Sequence, residues 1–277
     1  MNIRDCDFYK TVNILADFAN LDTTVRLNHS LTAWCDYDDS GFLPHETLLG
    51  KTMNIMMGIT SSLYYMRLSI TQISHSHLLD EFITNEFQDY DIYRYHYIVF
   101  SHSIALLQDL LFKLTSTIWR LNVTQRMIGW NKLEKELKKN DLTQISLILE
   151  NFYKKFSKHI EKRNRFSHEG LLAYNSLNNF YMTNLWTSLS MINKNKNPQY
   201  IRATQKNIEL LQETKEKFIE ELNQLLLDAE QCVMNLYDLC LDKLLLQIDY
   251  EFMKKHCIYL KGGNHKCLSD YLMRIGL

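Results

Sequence analysis

The chain has 277 residues, enough for one large or two modest domains, and its 31 basic and 32 acidic side chains give a formal net charge of −1. This balance excludes a general electrostatic attraction to nucleic acid or membranes, so any such affinity must come from a local patch. Only 8 Gly and 2 Pro are present, too few for the turns of a many-stranded fold. We therefore predict an all-α protein, a multi-helix bundle with long antiparallel helices.

The first 50 residues predict a short helix and then a loop-rich segment around residues 36–41. We treat residues 1–50 as an N-terminal extension and residues 51–277 as one helical bundle domain. Asp36, Asp38 and Asp39 form an acidic group similar to that of a calcium loop, but no glutamate follows at the twelfth position. We expect a helix-capping loop there and no metal.

The middle of the chain predicts three long helices. Neither Gly nor Pro occurs between Gly58 and Gly129, and apolar residues recur there at helical spacing, which indicates two helices broken near residues 89–91. A further amphipathic helix is predicted over residues 142–168, where Gly170 is placed to end it.

The C-terminal third predicts one very long bundle helix. Asn197 and Pro198 form a typical helix start, and 10 of 12 residues at a 3-4 spacing between residues 208 and 246 are apolar. We expect this helix to continue to Gly262 and Gly263, with Lys254, Lys255 and His256 stabilised by its C-terminal dipole.

A six-residue motif near the end of the helix at 142–168 carries the chemistry. Residues 163–168 read R-N-x-x-x-H and place Arg163, Asn164 and His168 within about two turns. Imidazole can move protons near neutral pH, and a guanidinium can stabilise extra charge on a phosphate, so the set suits phosphodiester cleavage. The alternative is that His168 is a surface histidine stabilised by the end of the helix.

The spacing of the motif makes its site incomplete in one chain. Five residues put Arg163 and His168 about 140° apart with a rise of about 7.5 Å, whereas Asn164 and His168 are close enough to touch. A second copy across a two-fold axis would complete the site with two arginines and two histidines. We therefore expect a homodimer.

A basic cluster surrounds the motif. Six basic residues face one acid, Glu161, between positions 154 and 165, for a local charge of +5: they are Lys154, Lys155, Lys158, Lys162, Arg163 and Arg165. Such a cluster suits contact with an RNA backbone, and a solvated helix face is the alternative reading.

Other familiar chemical signatures are absent from the sequence. His256, Cys257, His265 and Cys267 are metal-type ligands, but their spacing matches no common zinc site, and we expect them to be structural. Phosphate-binding loops and the HExxH and GxSxG motifs are missing, so we expect no cofactor. The cysteines form no tight framework, and no apolar leader or membrane-length apolar run is seen, which predicts a cytoplasmic protein without membrane contact.

The segment RNRFSH, late in an all-helical chain, resembles the signature of the HEPN superfamily (higher eukaryotes and prokaryotes nucleotide-binding). The resemblance implies a helical bundle that dimerises with its two motifs facing each other and a metal-independent endoribonuclease of toxin–antitoxin, abortive-infection or antiviral defence systems. It implies Arg163 and His168 as the catalytic pair with Asn164 beside them. It also suggests Asp109 as a supporting acid, although a solvated stripe with His102, Ser116 and Arg120 is equally compatible with the sequence.

Three hypotheses follow. The first is an endoribonuclease that acts through attack of the RNA 2′-hydroxyl, with RNA, a second copy and an antitoxin or defence-system protein as partners. The second is a non-catalytic HEPN-like module that binds a nucleotide, RNA or a protein. The third is a purely structural helical protein.

Overall fold

The computed structural model describes residues 3–27, 41–75, 88–123, 129–169, 198–261 and 266–277. A 3-10 turn at Ile3–Asp5 precedes the helices, and no strand occurs in these ranges. The helices are α1 (Asp7–Leu27), α2 (Pro44–His75), α3 (Gln88–Ile118), α4 (Trp130–Lys139), α5 (Thr143–Glu169), α6 (Pro198–Leu245), α7 (Tyr250–Lys261) and α8 (Lys266–Arg274). The predicted all-α fold is confirmed.

The helix boundaries agree with the sequence in some places and differ in others. Helix α5 has nearly the predicted bounds, and α6 begins at Pro198 as expected. The predicted short N-terminal helix is in fact the 21-residue α1. The two helices predicted between residues 58 and 129 are present as α2 and α3, and α3 begins at Gln88, close to the break predicted near residues 89–91.

The predicted continuation of the last long helix to Gly262 and Gly263 is also wrong. Helix α6 ends at Leu245, and α7 starts at Tyr250 after a turn in which the Asp249 side chain accepts a hydrogen bond from the Phe252 amide at 3.1 Å. Leu244, Ile248 and Phe252 are all buried at intervals of four, so the apolar spacing continues across the turn. Periodicity alone therefore could not reveal the interruption.

The buried side of α6 drifts away from the predicted seam. Phe218 and Leu222 are buried as expected, but further along the helix residues 226, 233 and 240 are buried in place of 225, 232 and 239. A straight helix has 3.6 residues per turn, so a strict 3.5-residue seam rotates out of the core. Leu246, the last predicted seam residue, is 71% exposed.

The described chain divides into two compact units. Unit 1 comprises Met1–Ser61, Leu107–Tyr153 and Glu230–Leu277. Phe8 packs against Tyr237 in its core with ring centroids 4.7 Å apart, and Trp130 stacks on Tyr153 at 5.6 Å. Gly58 lies so close to Leu110 that an added Cβ would come within 2.9 Å of the leucine side chain. The predicted division at residue 50 stays a prediction.

Unit 2 comprises Ser62–Leu106 and Lys154–Ala229 and contains the R-N-x-x-x-H motif. Its core is built from side chains of four helices, namely Met66 and Ile73 of α2, Tyr93, Tyr97 and Phe100 of α3, Phe156 of α5, and Phe218 and Leu222 of α6. Lys215 of the predicted α6 seam donates a hydrogen bond to the Ser74 carbonyl at 3.1 Å, close to the end of α2. A cation is favourable there because the last carbonyls of a helix lack partners within it.

Two helices end in the left-handed conformation without glycine. Arg120 after α3 has φ 51°, and Asp141 after α4 has φ 54°. The residue after each of them donates a backbone hydrogen bond of 3.0 Å that caps the helix. The Leu121 amide donates to the Ser116 carbonyl, and the Leu142 amide donates to the Leu137 carbonyl. This pattern usually relies on glycine, so both residues carry backbone strain.

One segment of the described residues, Tyr93–Ile118, is long and apolar enough to cross a membrane, with a mean hydropathy of 1.3. Polar residues interrupt its apolar run, so the sequence contains no continuous apolar stretch of membrane length there. In the protein 56% of this segment's most apolar window is buried. Such burial is typical of a core helix.

Candidate functional site

The R-N-x-x-x-H motif lies on one continuous helix. Helix α5 extends to Glu169 and therefore includes all six motif positions. Ideal geometry then separates Arg163 from His168 by about 140° around the axis and Asn164 from His168 by about 40°. Asn164 is exposed, while the side chains of Lys162, Arg163, Arg165 and His168 lie outside the described residues.

The register of α5 assigns the two proposed catalytic positions to different sides of the helix. Arg163 follows Phe156 by seven residues, and Phe156 is 1% exposed in the core of unit 2. His168 follows Glu161 by the same seven residues, and Glu161 is exposed. Seven residues return a helix to within about 20° of its starting direction. Position 163 thus has the register of the core, and position 168 has the register of solvent.

The lysines near the motif are not equivalent. Lys154 and Lys158 are exposed on α5. The Lys155 ammonium instead forms an ion pair with the carboxylate of Asp228 on α6, with side chains 48% and 22% exposed. Gln224 also donates a hydrogen bond to Asp228 at 3.2 Å. Of the predicted RNA-binding residues, Lys155 therefore has an acidic partner on α6.

A histidine that sequence reasoning missed lies one turn before Arg163. His159 of α5 is half-buried, and its Nδ1 lies 3.4 Å from the hydroxyl of Tyr97 on α3. Burial is the main reason that the pKa of Tyr97 lies far above its usual value, so this hydroxyl stays protonated. The Tyr97 ring packs beside Phe218 with centroids 5.9 Å apart. The available signal in the sequence was the four-residue spacing between His159 and Arg163.

Asp109, the suggested supporting acid, is exposed on α3 and belongs to unit 1, whereas the motif belongs to unit 2. Two members of the alternative polar stripe, His102 and Arg120, are also exposed. The third, Ser116, is buried and donates a hydrogen bond to the Lys113 carbonyl at 3.0 Å. The stripe is therefore only partly solvated, and the role of Asp109 stays a prediction.

The C-terminal histidine His256 has partners on α1. Its Nε2 lies 3.0 Å from Asp22, Lys255 donates a hydrogen bond to the same carboxylate at 2.6 Å, and the ring of Phe18 stacks on the imidazole at 4.5 Å. Burial raises the pKa of Asp22, but the hydrogen bonds from Lys255 and His256 outweigh burial and leave that pKa below its usual value. This arrangement replaces the predicted interaction of His256 with the end of a long helix.

The other C-terminal metal-type residues provide less information. Cys257 is half-buried, while His265 and the side chain of Cys267 lie outside the described residues. Among the described residues, no group of three or more His, Cys, Asp and Glu side chains is placed to hold a metal ion.

Comparison with known proteins identifies the family. Residues 51–229, more than half of the chain, match the Cthe2314-like HEPN family, and the match includes the whole R-N-x-x-x-H motif. No curated protein and no solved structure matches the chain. The extent of the family match and the all-helical fold agree with the resemblance seen in the motif, and the chain belongs to the HEPN superfamily.

Proposed function

We propose that this HEPN protein is a metal-independent endoribonuclease whose catalytic residues are Arg163 and His168, with Asn164 in an orienting role. The observation that carries the proposal is the intact R-N-x-x-x-H set inside the family match. The intact arginine and histidine together count against a module that has only a binding role. The exposed Lys154 and Lys158 on the same helix support an RNA substrate.

The proposed reaction is an internal transfer at phosphorus. The 2′-hydroxyl loses its proton and attacks the adjacent phosphate, the bond from phosphorus to the 5′-oxygen breaks, and that oxygen takes up a proton. His168 serves as acid or base, and Arg163 stabilises the charge on the phosphorane. The products are a 2′,3′-cyclic phosphate and a 5′-hydroxyl end, and DNA is not cut because it lacks the attacking group.

The positions of these residues on α5 support a homodimer as part of the proposal. One helix does not carry Arg163 and His168 on the same face, because their positions differ by about 140°. Two copies related by a two-fold axis would bring an arginine of one chain near a histidine of its partner. A composite site would also make activity dependent on assembly.

The cellular role that we propose is that of a toxin or antiviral-defence effector in the cytoplasm. An endoribonuclease that needs no metal ion is not limited by the supply of an ion, so we expect another protein to restrain its activity in a healthy cell. An antitoxin or another defence-system protein would provide that restraint. This part of the proposal rests on the family resemblance.

The first experiment measures cleavage of mixed RNA by the purified protein in EDTA. Arg163→Ala and His168→Ala should each lower the cleavage rate by on the order of 10²-fold or more, because each removes a group that acts in the transition state. His75→Ala is the matched control, since His75 is also exposed near the end of a helix. Full cleavage by the His168→Ala protein, or a strict need for a divalent metal, would contradict the mechanism. RNA binding without cleavage would favour the non-catalytic HEPN module.

The second experiment tests the composite site. Light scattering should give a dimer, and a mixture of Arg163→Ala and His168→Ala proteins should recover part of the activity that each lacks alone. Recovery is expected because a mixed dimer holds one intact arginine and one intact histidine in different chains. A monomer that cleaves RNA would refute the composite site.

A further inference from the structure

We propose that Tyr64 and Tyr65 of α2 form a stacking site for the bases of single-stranded RNA. This inference rests on the proposed ribonuclease function, because it describes how the substrate of that reaction would be held. It assigns a role to a helix that contains neither the R-N-x-x-x-H motif nor the basic cluster around it.

Two tyrosine rings lie next to each other on the surface of α2. Tyr64 is 56% exposed and Tyr65 is 50% exposed. Their ring centroids are 5.7 Å apart and their planes meet at 66°, an edge-to-face arrangement. This contact limits the motion of both rings, while about half of each residue remains in solvent. The helix therefore presents two aromatic surfaces to a partner that stacks.

The register of α2 places the tyrosines opposite the side of the helix that packs in unit 2. The buried side consists of Leu63, Met66, Ile70 and Ile73. Tyr64 precedes Met66 by two residues, which is about 200° around the helix axis, and Tyr65 follows Leu63 by the same interval. The exposed neighbours of the tyrosines on the next two turns are uncharged, namely Leu68, Thr71 and Gln72.

The charge of α2 suits a polyanion. No acid occurs between Glu46 and the end of the helix at His75, although 32 of the 277 residues are acidic and an even distribution would place about three acids in residues 47–75. The same stretch contains Lys51 and Arg67. Phosphate groups beside the tyrosines would therefore meet no carboxylate from their own helix.

Tyrosine and lysine would hold different parts of one RNA strand. Unit 2 also contains Lys158, which is exposed on α5. Lysines contact phosphates and make affinity depend on salt, whereas aromatic rings stack on bases of any identity. Bases within a duplex are already stacked, so unpaired bases are the ones that a tyrosine can reach. The ligand that we infer is therefore single-stranded RNA bound with little sequence preference.

A second copy of this chain is the competing occupant of the same face. Packing of a protein would bury the polar Thr71 and Gln72 together with the tyrosines, and Leu68, which is 36% exposed, adds little apolar surface. Protein interfaces depend on anchors that fill pockets in a desolvated centre. A base needs only the face of one ring, so this set of side chains favours RNA.

The binding test uses the full-length protein with the His168→Ala substitution, which prevents cleavage, and fluorescence anisotropy of a labelled oligouridine. Tyr64→Ala and Tyr65→Ala should each raise Kd by about 5-fold or more, the lower end of the effects seen when one stacked base is lost. The slope of log affinity against log salt should not change, because no phosphate contact is removed. Tyr64→Phe should bind normally, because it retains the ring. Tyr250→Ala is the control and should also bind normally, since Tyr250 is 49% exposed but lies beside Glu251.

Two further measurements identify the bases as the bound groups. An abasic strand of the same length should bind equally to the proteins with and without Tyr64→Ala, because it has phosphates but nothing to stack. RNA that contains bromouridine should form a photochemical crosslink to Tyr64 or Tyr65, which mass spectrometry of the digested protein can locate. Crosslinks found only on other helices would overturn the proposal.

The outcomes separate this inference from the proposed function. Unchanged Kd in both alanine variants, in a protein that cleaves RNA, would overturn the stacking site alone. RNA binding that depends on the tyrosines, without cleavage by the unaltered protein, would support the stacking site and contradict the ribonuclease function. An equal loss of affinity for the abasic strand would overturn stacking as the cause. Loss of the dimer in light scattering of Tyr64→Ala, with Kd for RNA unchanged, would show that a second copy occupies this face and would also overturn the proposal.

Discussion

Lys155 and Lys158 differ in their ability to bind RNA, which leads to a quantitative prediction. Lys158 is exposed, whereas Lys155 is paired with Asp228 and must break that pair before it can contact a phosphate. A phosphate contact on single-stranded RNA contributes about 0.7 to the slope of log affinity against log salt. Lys158→Ala should therefore reduce the slope by about 0.7, and Lys155→Ala should leave it nearly unchanged.

The size of this effect is measurable. A slope change of about 0.7 means that, between roughly 50 and 200 mM salt, the Lys158→Ala protein loses about 2.6-fold less affinity than the unaltered protein. Fluorescence anisotropy with a short labelled RNA gives these affinities, and a His168→Ala background prevents cleavage. Asp228→Asn should act in the opposite direction, because it releases the Lys155 ammonium for a new phosphate contact. Equal slope changes for Lys155→Ala and Lys158→Ala would refute the reasoning.

Further predictions concern stability, measured by urea unfolding. The pKa of His45 is lowered in the folded protein, mainly by burial. The imidazole therefore binds a proton more tightly in the unfolded chain, and the free energy of unfolding should fall as the pH drops below about 6.5. His45→Gln should reduce this loss of stability at low pH. An unchanged dependence of the free energy of unfolding on pH in the His45→Gln protein would contradict the prediction. The pKa of Asp22 is lowered in the folded protein, so its carboxylate stabilises the fold only while it is ionised. We therefore expect a second loss of stability at more acidic pH, as the pH falls toward the folded-state pKa of Asp22. Asp22→Asn should remove this second loss. The Tyr237 hydroxyl is buried and has no hydrogen-bond partner among the described residues, so Tyr237→Phe should raise the free energy of unfolding by about 1 kcal/mol; a loss of stability would indicate a partner. Arg120→Gly should raise the free energy of unfolding by about 0.5 kcal/mol, because glycine relieves the strain of a positive φ, whereas Arg120→Ala should not. Equal effects of the two substitutions would exclude backbone strain as the cause.

The fold was predictable from the sequence where apolar spacing and helix starts agree. Helix α5 and the beginning of α6 at Pro198 have both signals, and the structure confirms them. The end of α6 was missed because apolar residues recur at helical spacing on both sides of the turn before α7. The boundary before α3 was predicted near residues 89–91, and the helix begins at Gln88.

The candidate site was predictable only in its local part. The R-N-x-x-x-H set lies within six residues, so spacing along one helix was enough to find it. The anchor of His159 is Tyr97, which is 62 residues away, and the acid that occupies Lys155 comes from α6. Partners at such distances depend on how helices pack, and a single sequence contains no spacing rule for them.

The contact between Phe8 and Tyr237 affects how shorter pieces of this protein should be designed. Both residues lie outside the stretch shared with the family, and they pack against each other in the core of unit 1. The shared stretch also stops inside α6, sixteen residues before that helix ends at Leu245. A fragment limited to residues 51–229 would expose apolar surface and is expected to aggregate. The recognisable part of the chain is therefore smaller than the part that must be expressed to obtain a folded protein.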